Sequence, residues 1–347
     1  SGQAMVAISL PFVWAGLLAV AVFLYVILDG ADLGLGILFP FANTDEDRDV
    51  MMNSIAPVWD GNETWLVLGG GGLFAAFPKA YAALMPAVYM PIGFMLTALI
   101  FRGVAFEFRF KASGSGKRIW DQAFHWGSIV ATFAQGLILG TIVQGIELEN
   151  GRFAGDMFDW LTPFSFVVGC ALIWGYTLLG STWLIIKTEG TLLDWSRRVG
   201  VVSALVVIAM MAIVSFWVPA LDVAAAQRWG ISYPDVDWGR LAPLLPIPLL
   251  VAVAFWQLIR SIRGGATYAP HMWASSLFLL GFVGLLIGIF PYLVPYSLTF
   301  YEAAAAPKSQ GLLLIGAVIM LPIILGYTAY VFWIFRGKMS ADAGYHH

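Results

Sequence analysis

The sequence predicts an all-α integral membrane protein with nine transmembrane helices, and three observations lead to this prediction. Of its 347 residues, 60% are hydrophobic and only 11% are charged, whereas soluble domains average about 25% charged residues. The mean hydropathy is +0.83, and long charge-free runs recur along the chain. So little polar surface cannot cover a water-facing globule of this size. We expect a single membrane domain over residues 1–347.

Each predicted helix is a run long enough to cross the hydrocarbon, which takes about 20 apolar residues. Eight runs reach this length without a charge. The ninth, at 54–78, reaches it only if the helix carries Asp60 and Glu63 within it. The first run is too long and too rich in aromatic residues for a cleaved signal peptide. The spans lie near residues 5–40, 54–78, 80–102, 121–146, 160–187, 198–221, 241–260, 271–296 and 309–336.

Basic residues predict the orientation, because connections rich in Lys and Arg remain in the cytoplasm. Nine crossings sort the connections into two sets that hold 13 and 5 basic residues. This imbalance places the N-terminus in the periplasm and the C-terminus in the cytoplasm. The richer set consists of Arg48, Arg102, Arg109, Lys111, Lys117, Arg118, Lys187, Arg197, Arg198, Arg260, Arg263, Arg336 and Lys338.

Acidic residues inside apolar sequence are the main functional signal. Asp29 and Asp32 lie within the first span, and Asp60 and Glu63 repeat the same spacing in the second. Residues three apart share one helical face. An acid at the centre of a spanning helix costs about 2.5–3.5 kcal/mol, so these groups must be neutral, paired with Arg102, or in a polar cavity. We predict a proton pathway at the inner half of the membrane. The alternative is that the acids only hold helices together.

Composition and the remaining polar residues exclude several function classes. A net charge of −3 gives no basic field for nucleic acid. A single cysteine, Cys170, rules out an intramolecular disulfide and cysteine-ligated metal sites. His125 and His271 lie near the cytoplasmic ends of two spans, which favours interfacial histidines over axial haem ligands. His125 is a further candidate proton relay. We therefore predict no metal site in this chain.

Glycines recur at helix-contact spacing at Gly30, Gly34 and Gly36, and in the run at 69–72. A phosphate cradle would need a preceding strand and a lysine that this run lacks. Close approach of helices in the membrane is the expected role.

Several motifs resemble subunit II of the bacterial cytochrome bd quinol oxidases, over the whole chain. They are Asp29-Gly-Ala-Asp-Leu-Gly-Leu-Gly36, Pro57-Val-Trp-Asp-Gly-Asn-Glu-Thr-Trp65 and Phe101-Arg-Gly-Val-Ala-Phe-Glu-Phe-Arg109. The residues of the last two motifs are similar to those of the cyanide-insensitive branch of this family. The resemblance implies a subunit of the inner membrane that forms a heterodimer with subunit I. In the family, subunit I carries two b haems, haem d and the quinol site, and subunit II carries none of them.

The resemblance also implies roles for individual residues. Asp29, Asp32 and Asp60 match acids implicated in delivering cytoplasmic protons for the reduction of dioxygen to water. Arg102 and Glu107 match the arginine and the acidic position after the third span. Two positions depart from the pattern: Val58 stands where relatives have histidine, and Glu63 where some have glutamine. Some members associate a bound quinone with subunit II, and a small accessory subunit and membrane lipids are further expected partners.

Two other functions fit the same residues. A proton-coupled secondary transporter would also use buried acids and glycine-rich helices, but it would work without a haem-bearing partner. A purely structural subunit would hold subunit I in shape, and neutralising its acids would then change assembly and leave turnover intact.

Overall fold

Long apolar segments form helices because a helix satisfies the backbone N–H and C=O groups within the segment itself. The computed structural model describes residues 9–340. Its helices are α1 (Leu10–Leu38), α2 (Asp45–Ile55), α3 (Trp59–Ala76), α4 (Pro78–Ala87), α5 (Tyr89–Arg109), α6 (Ser115–Gln144), α7 (Pro163–Lys187), α8 (Gly190–Trp217), α9 (Val223–Trp229), α10 (Trp238–Leu241), α11 (Pro246–Arg263), α12 (Ala269–Ile289), α13 (Phe300–Ala303) and α14 (Pro307–Ile334).

The described strands form three small antiparallel hairpins. The first two lie in connections that the prediction places in the periplasm, and the third begins within the last residues of the span predicted at 271–296. They pair β1 (Leu148–Glu149) with β2 (Arg152–Phe153), β3 (Ile231–Ser232) with β4 (Asp235–Val236), and β5 (Tyr292–Val294) with β6 (Leu298–Thr299). Both β2 and β5 contact α4, so the first and third hairpins lie at the same end of the bundle. The all-α membrane fold is confirmed.

Among the described residues, 8 helices are long and apolar enough to cross a membrane. Helix α3 is the ninth candidate, and its polar first half keeps it below that standard. It nevertheless runs alongside α1, with contacts near both of its ends. Asn62 near its start contacts the carbonyl of Leu28. Ala76 at its end accepts a hydrogen bond from Gln310, whose own carbonyl accepts one from Trp14 near the start of α1. The count of nine and the orientation stay predictions.

Predicted spans differ from the observed helices most clearly at three places. The span predicted at 54–78 is a continuous helix only over Trp59–Ala76, because residues 56–58 form a turn after α2. The span predicted at 80–102 is split: α4 ends at Ala87 and α5 continues to Arg109. Pro91 lacks the N–H that would bond the carbonyl of Ala87, and a proline is tolerated in the first turn of the new helix. The span predicted at 271–296 ends as a helix at Ile289, because Pro291 cannot continue the hydrogen-bond ladder. Residues 5–8 of the first predicted span lie outside the described residues.

Helix α1 is at the centre of the bundle, where it packs against α3, α6 and α7. Glycine makes the α1–α7 contact close. A Cβ at Gly34 would overlap the carbonyl oxygen of Tyr176, and one at Gly180 would lie 2.6 Å from the carbonyl carbon of Gly34. Gly30 is covered by the Tyr176 ring. The predicted role of these glycines is confirmed on α1. In the run at 69–72 of α3, an added Cβ at Gly72 would lie 2.5 Å from Leu18 of α1, whereas Gly70 and Gly71 have nothing within 4 Å.

Replacing Gly34 with alanine should destabilise the protein, because the added methyl group meets backbone that cannot move aside. We expect Gly34→Ala to lower the free energy of unfolding by about 3 kcal/mol. Gly16→Ala on the same helix is the matched control, since nothing lies within 4 Å of its added Cβ. Thermal stability of the detergent-purified protein, measured by fluorescence-detected size exclusion, should separate the two variants. Equal stability would contradict the close contact of α1 with α7.

Candidate functional site

The centre of the site is an ion pair buried between α1 and α5. Arg102 donates to both carboxylate oxygens of Asp29, from Nη1 to Oδ2 at 3.1 Å and from Nη2 to Oδ1 at 2.8 Å. Both side chains are fully buried. Two parallel hydrogen bonds between a guanidinium and a carboxylate make a strong and well-oriented contact. Removing either partner would leave a charge without its counterion inside the bundle.

Asp32 follows Asp29 by one turn of α1, and Asn62 of α3 holds its carboxyl. Asn62 Nδ2 donates to Oδ2 of Asp32 at 2.8 Å. Both residues are buried, and the carboxyl groups of Asp29 and Asp32 are close enough to interact. The hydrogen bond between Asn62 and Asp32 fixes the position of α3 along α1.

The charges in this cluster do not balance. Asp29 and Asp32 carry two carboxyl groups, and Arg102 is the one guanidinium beside them among the described residues. With both carboxyls ionised, the cluster would hold a net negative charge in a medium that penalises unpaired charge heavily. The cluster is neutral only when one carboxyl holds a proton. The arrangement can therefore bind and release a proton.

A column of aromatic rings fills the bundle on one side of this cluster. The guanidinium of Arg102 lies 5.8 Å from the ring centroid of Trp59, and that ring stacks on Phe106 at 4.6 Å. At the far end, Arg109 lies 5.0 Å from the ring centroid of Phe39. Seven residues of helix rise separate the two arginines, or about 10 Å. From Arg102 to Arg109 the rings are Trp59, Phe106, Phe124 and Phe39.

Arg109 closes the column at the predicted cytoplasmic end. Its Nη1 donates to Asp49 at 2.7 Å and its Nε to Asp121 at 2.5 Å. Lys117 lies 3.2 Å from the same Asp49 carboxylate. This network joins α2 to the α5–α6 connection. Phe39, Phe106 and Phe124 are buried, so the direct line from the cytoplasmic end to Arg102 passes through packed rings.

A second polar network extends from the ion pair on its other side. Tyr25, one turn before Asp29, accepts a hydrogen bond from Gln135 Nε2 at 2.9 Å. The side-chain oxygen of Gln135, Oε1, accepts a hydrogen bond from the Tyr176 hydroxyl at 2.7 Å. The Tyr25 hydroxyl also lies within interaction range of the Asp29 carboxylate. Three helices, α1, α6 and α7, thus contribute to one connected network.

The structure brings together only part of the predicted pathway. Asp29, Asp32 and Arg102 meet in the bundle, and Glu63 is half-buried within electrostatic range of Asp29 and Arg102. Asp60 is exposed on the outer face of α3. The prediction that the four acids share the inner half of the membrane stays a prediction, and Asp60 lies outside the buried cluster. The helical phase of α3 turns Asn62, and not Asp60, towards α1.

The two other residues of the predicted pathway, Glu107 and His125, and the interfacial His271 have partners outside the ion pair. Glu107 is exposed and lies 4.0 Å from Lys111. The Nδ1 atom of His125 is 3.1 Å from the carbonyl oxygen of Gly36, one turn beyond Asp32. The Nδ1 atom of His271 is 2.9 Å from the Thr182 hydroxyl. No group of three or more His, Cys, Asp or Glu that could hold a metal ion occurs within residues 9–340.

The sequence alone did not identify the polar residues that make hydrogen bonds at and beside the buried acids. Asn62 is part of the Trp-Asp-Gly-Asn motif, but its amide is uncharged, so the cost of burying charge does not single it out. Tyr25, Gln135 and Tyr176 lie in apolar runs, where tyrosine suggests an interfacial belt. A lone glutamine in the middle of a spanning helix was the available signal, because a buried amide needs partners.

The chain resembles known proteins over nearly its whole length. It matches the family described as cytochrome bd terminal oxidase subunit II over residues 10–335. It is 30% identical to cytochrome bd-I ubiquinol oxidase subunit 2 of Escherichia coli K12, over 96% of both chains. It is 30% identical to cytochrome bd ubiquinol oxidase subunit 2 of Bacillus subtilis, over 96% of this chain and 97% of that one.

A solved structure supports the fold. The bd oxidase from Geobacillus thermodenitrificans contains a chain that superposes with a TM-score of 0.72 at 17% identity, covering 94% of this chain and 98% of that one.

Fold and site together define a multi-pass helical membrane protein with an ion pair and a second carboxyl in its interior. The chain belongs to the cytochrome bd terminal oxidase subunit II family. It is a subunit of an oxidoreductase complex in the bacterial inner membrane, and a subunit II implies a partner subunit I.

Breaking the buried ion pair should cost more than removing it as a unit. We expect Asp29→Asn and Arg102→Gln each to lower stability by about 3 kcal/mol, because each leaves a buried group without its partner. The double variant should lose clearly less than the sum of the two. Thermal inactivation of the purified complex measures all three. Glu107→Gln, which removes an exposed charge, is the control, and simple additivity of the single effects would contradict the coupling.

Proposed function

We propose that this chain is the haem-free subunit of a quinol-oxidising, dioxygen-reducing complex and that it delivers cytoplasmic protons to the partner subunit. The observation that carries the proposal is the buried cluster of two carboxyl groups and one guanidinium. The names of the Escherichia coli and Bacillus subtilis relatives describe ubiquinol oxidases, which supports quinol as the reductant. Reduction of dioxygen to water consumes protons, so such a complex needs a protein path for them.

The haems of the complex are assigned to subunit I. Histidines are the usual ligands of b haems, and residues 9–340 of this chain contain two, His125 and His271. They lie on α6 and α12 near the predicted cytoplasmic end, a position that suits interfacial residues.

Protons reach the cluster from the α3 side in this proposal. The aromatic column blocks the direct line from the cytoplasmic end, because no polar side chain interrupts its four rings. On the outer face of α3, Asp60 is exposed and Glu63 is half-buried one turn later. Glu63 is in electrostatic range of both Asp60 and Asp29. Carboxyl groups at such intervals, with water between them, form a path for protons.

The same face is where we place subunit I. An acid such as Asp60 is costly against lipid, so a protein partner or a hydrated boundary must cover it. Gly70 and Gly71 continue that helix without side chains, and small residues allow close approach of another helix. A heterodimer built on α3 would bring the acids of this chain next to the partner.

Neutralising Asp32 tests proton delivery directly. We expect Asp32→Asn to lower quinol-driven oxygen consumption at least about tenfold, because an amide cannot carry the transferred proton. Asp60→Asn should also lower turnover. The reduced-minus-oxidised haem spectrum of the purified complex should remain normal in both variants.

The matched control is Glu107→Gln, because Glu107 matches the family motif but lies away from the cluster. We expect it to retain wild-type oxygen consumption. Full turnover in Asp32→Asn would favour the purely structural alternative. A purified chain that is colourless and has no haem-bearing companion would favour the transporter.

A further inference from the structure

The ends of α7 and α14 meet at one corner of the bundle, which the prediction places on the cytoplasmic side. The backbone N–H of Met339 donates to the carbonyl of Lys187 at 2.7 Å. Lys338 Nζ donates to two carbonyls at the end of α7, at 2.8 and 2.9 Å. In return, Lys187 Nζ donates to the carbonyl of Phe335, just after α14, at 2.6 Å. Each of these helix ends is thus capped by a lysine from the other segment.

A guanidinium from α8 joins the two lysines. Arg197 Nη2 donates to the carbonyl of Gly265, in the connection between α11 and α12, at 3.1 Å. Arg197 also lies within electrostatic range of Lys338. Partial burial lowers the pKa of the Lys338 ammonium, the Glu189 carboxylate opposes this, and Arg197 lowers the pKa further. We call Lys187, Arg197 and Lys338 the basic corner.

The donors of the basic corner are paired with neutral oxygens, and its charge is not balanced. Within residues 9–340, none of its three side chains forms an ion pair with an acid. The C-termini of α7 and α14 together supply about one negative charge, and the exposed carboxylate of Glu189 supplies one more. Three cations therefore leave an excess of about one positive charge. Like charges repel each other, so an anion bound here would stabilise the corner.

The position of the basic corner selects the kind of anion. Helix α7 ends at Lys187, α12 begins at Ala269 and α14 ends at Ile334. The corner therefore lies where three long apolar helices end, which is the level of the polar headgroups of a bilayer. The exposed Trp333 lies 4.3 Å from the guanidinium of Arg336, and exposed tryptophans at helix ends are typical of the membrane interface. A lipid phosphate is the anion found at this level.

Helix α14 provides an apolar surface next to the basic corner. Ile323, Tyr327 and Tyr330 are exposed, and Gln310 is the one buried residue of this helix in the part of the chain that the structure describes. A phosphate that carries acyl chains can contact the corner and α14 at once. Free phosphate can contact only the corner, so the arrangement favours a phospholipid.

We propose that the basic corner is a binding site for the phosphate of an anionic phospholipid whose acyl chains lie along α14. Arg197 and Lys338 contact the phosphate, and Lys187, which is buried, acts through its charge. A zwitterionic lipid carries an additional cation that the excess positive charge repels, so the site favours a headgroup with a net negative charge. The site is separate from the buried carboxyl groups and does not depend on proton delivery.

The test titrates the intact, delipidated complex with dioleoyl phosphatidylglycerol or with dioleoyl phosphatidylcholine, and native mass spectrometry measures the bound lipid. We expect the anionic lipid to bind about tenfold more tightly than the zwitterionic one. Arg197→Gln and Lys338→Gln should each weaken its binding about tenfold, because each removes one charged donor to the phosphate. Glu189→Gln should strengthen it about fivefold, because it removes the opposing charge.

Arg198→Gln is the matched control, because it removes the same charge from the next, exposed residue, and we expect unchanged affinity. An equal loss in Arg198→Gln would indicate diffuse attraction to the lipid surface and overturn the site. Unchanged affinity in the Arg197, Lys338 and Glu189 variants would do the same, as would displacement of the lipid by millimolar inorganic phosphate. Size exclusion reports assembly. Glu189→Gln decides if a variant of the basic corner fails to assemble, since Glu189 is exposed and its side chain makes no capping hydrogen bond.

Discussion

Two carboxyl groups and one guanidinium enclosed in a helical bundle impose the constraint on which the rest of the structure depends. Asp29 and Arg102 satisfy each other through two hydrogen bonds, and Asp32 remains as an acid without a counterion of its own. Lipid and packed side chains cannot solvate the excess charge. The surrounding residues must supply donors, hold a proton, or do both. Asn62 supplies one donor to Asp32, and the cluster's neutrality requires the proton.

Backbone contact between helices makes this arrangement possible. Gly34 and Gly180 let α1 and α7 approach until their backbones touch, which brings Tyr176 against α1 and into reach of Gln135. On α6, Gly127 packs against the backbone of α5. A Cβ added at Gly127 would lie 3.2 Å from the backbone nitrogen of Arg102. In a membrane, such close packing replaces the hydrophobic effect as the source of association. The precision of the ion pair thus depends on residues that carry no charge.

The two sides of the cluster have different characters. Towards the predicted cytoplasmic end, packed rings lead to Arg109, which is itself tied to Asp49 and Asp121. Rings of this kind offer no side-chain group that readily accepts and donates a proton. Towards α3, acids are spaced along a face that this chain leaves uncovered. An oxidase subunit organised in this way would take up protons where it meets its partner. The buried carboxyl groups and Arg102 would then set the affinity of the site for those protons.

The sequence by itself determined the all-α membrane class, most of the helices and the family through its motifs. It also marked Asp29 and Asp32 as acids that need a partner, a proton or a polar cavity inside the membrane. These follow from composition, run length and the cost of burying charge, which are local or additive properties. Only the tertiary structure decided that Asp60 faces outward and that Tyr25 and Gln135 join the cluster. The physical reason is that side-chain partners on different helices depend on the rotation of each helix about its axis. Contacts such as that between Gly34 and Tyr176 set this rotation, and they become visible only when the helices are packed.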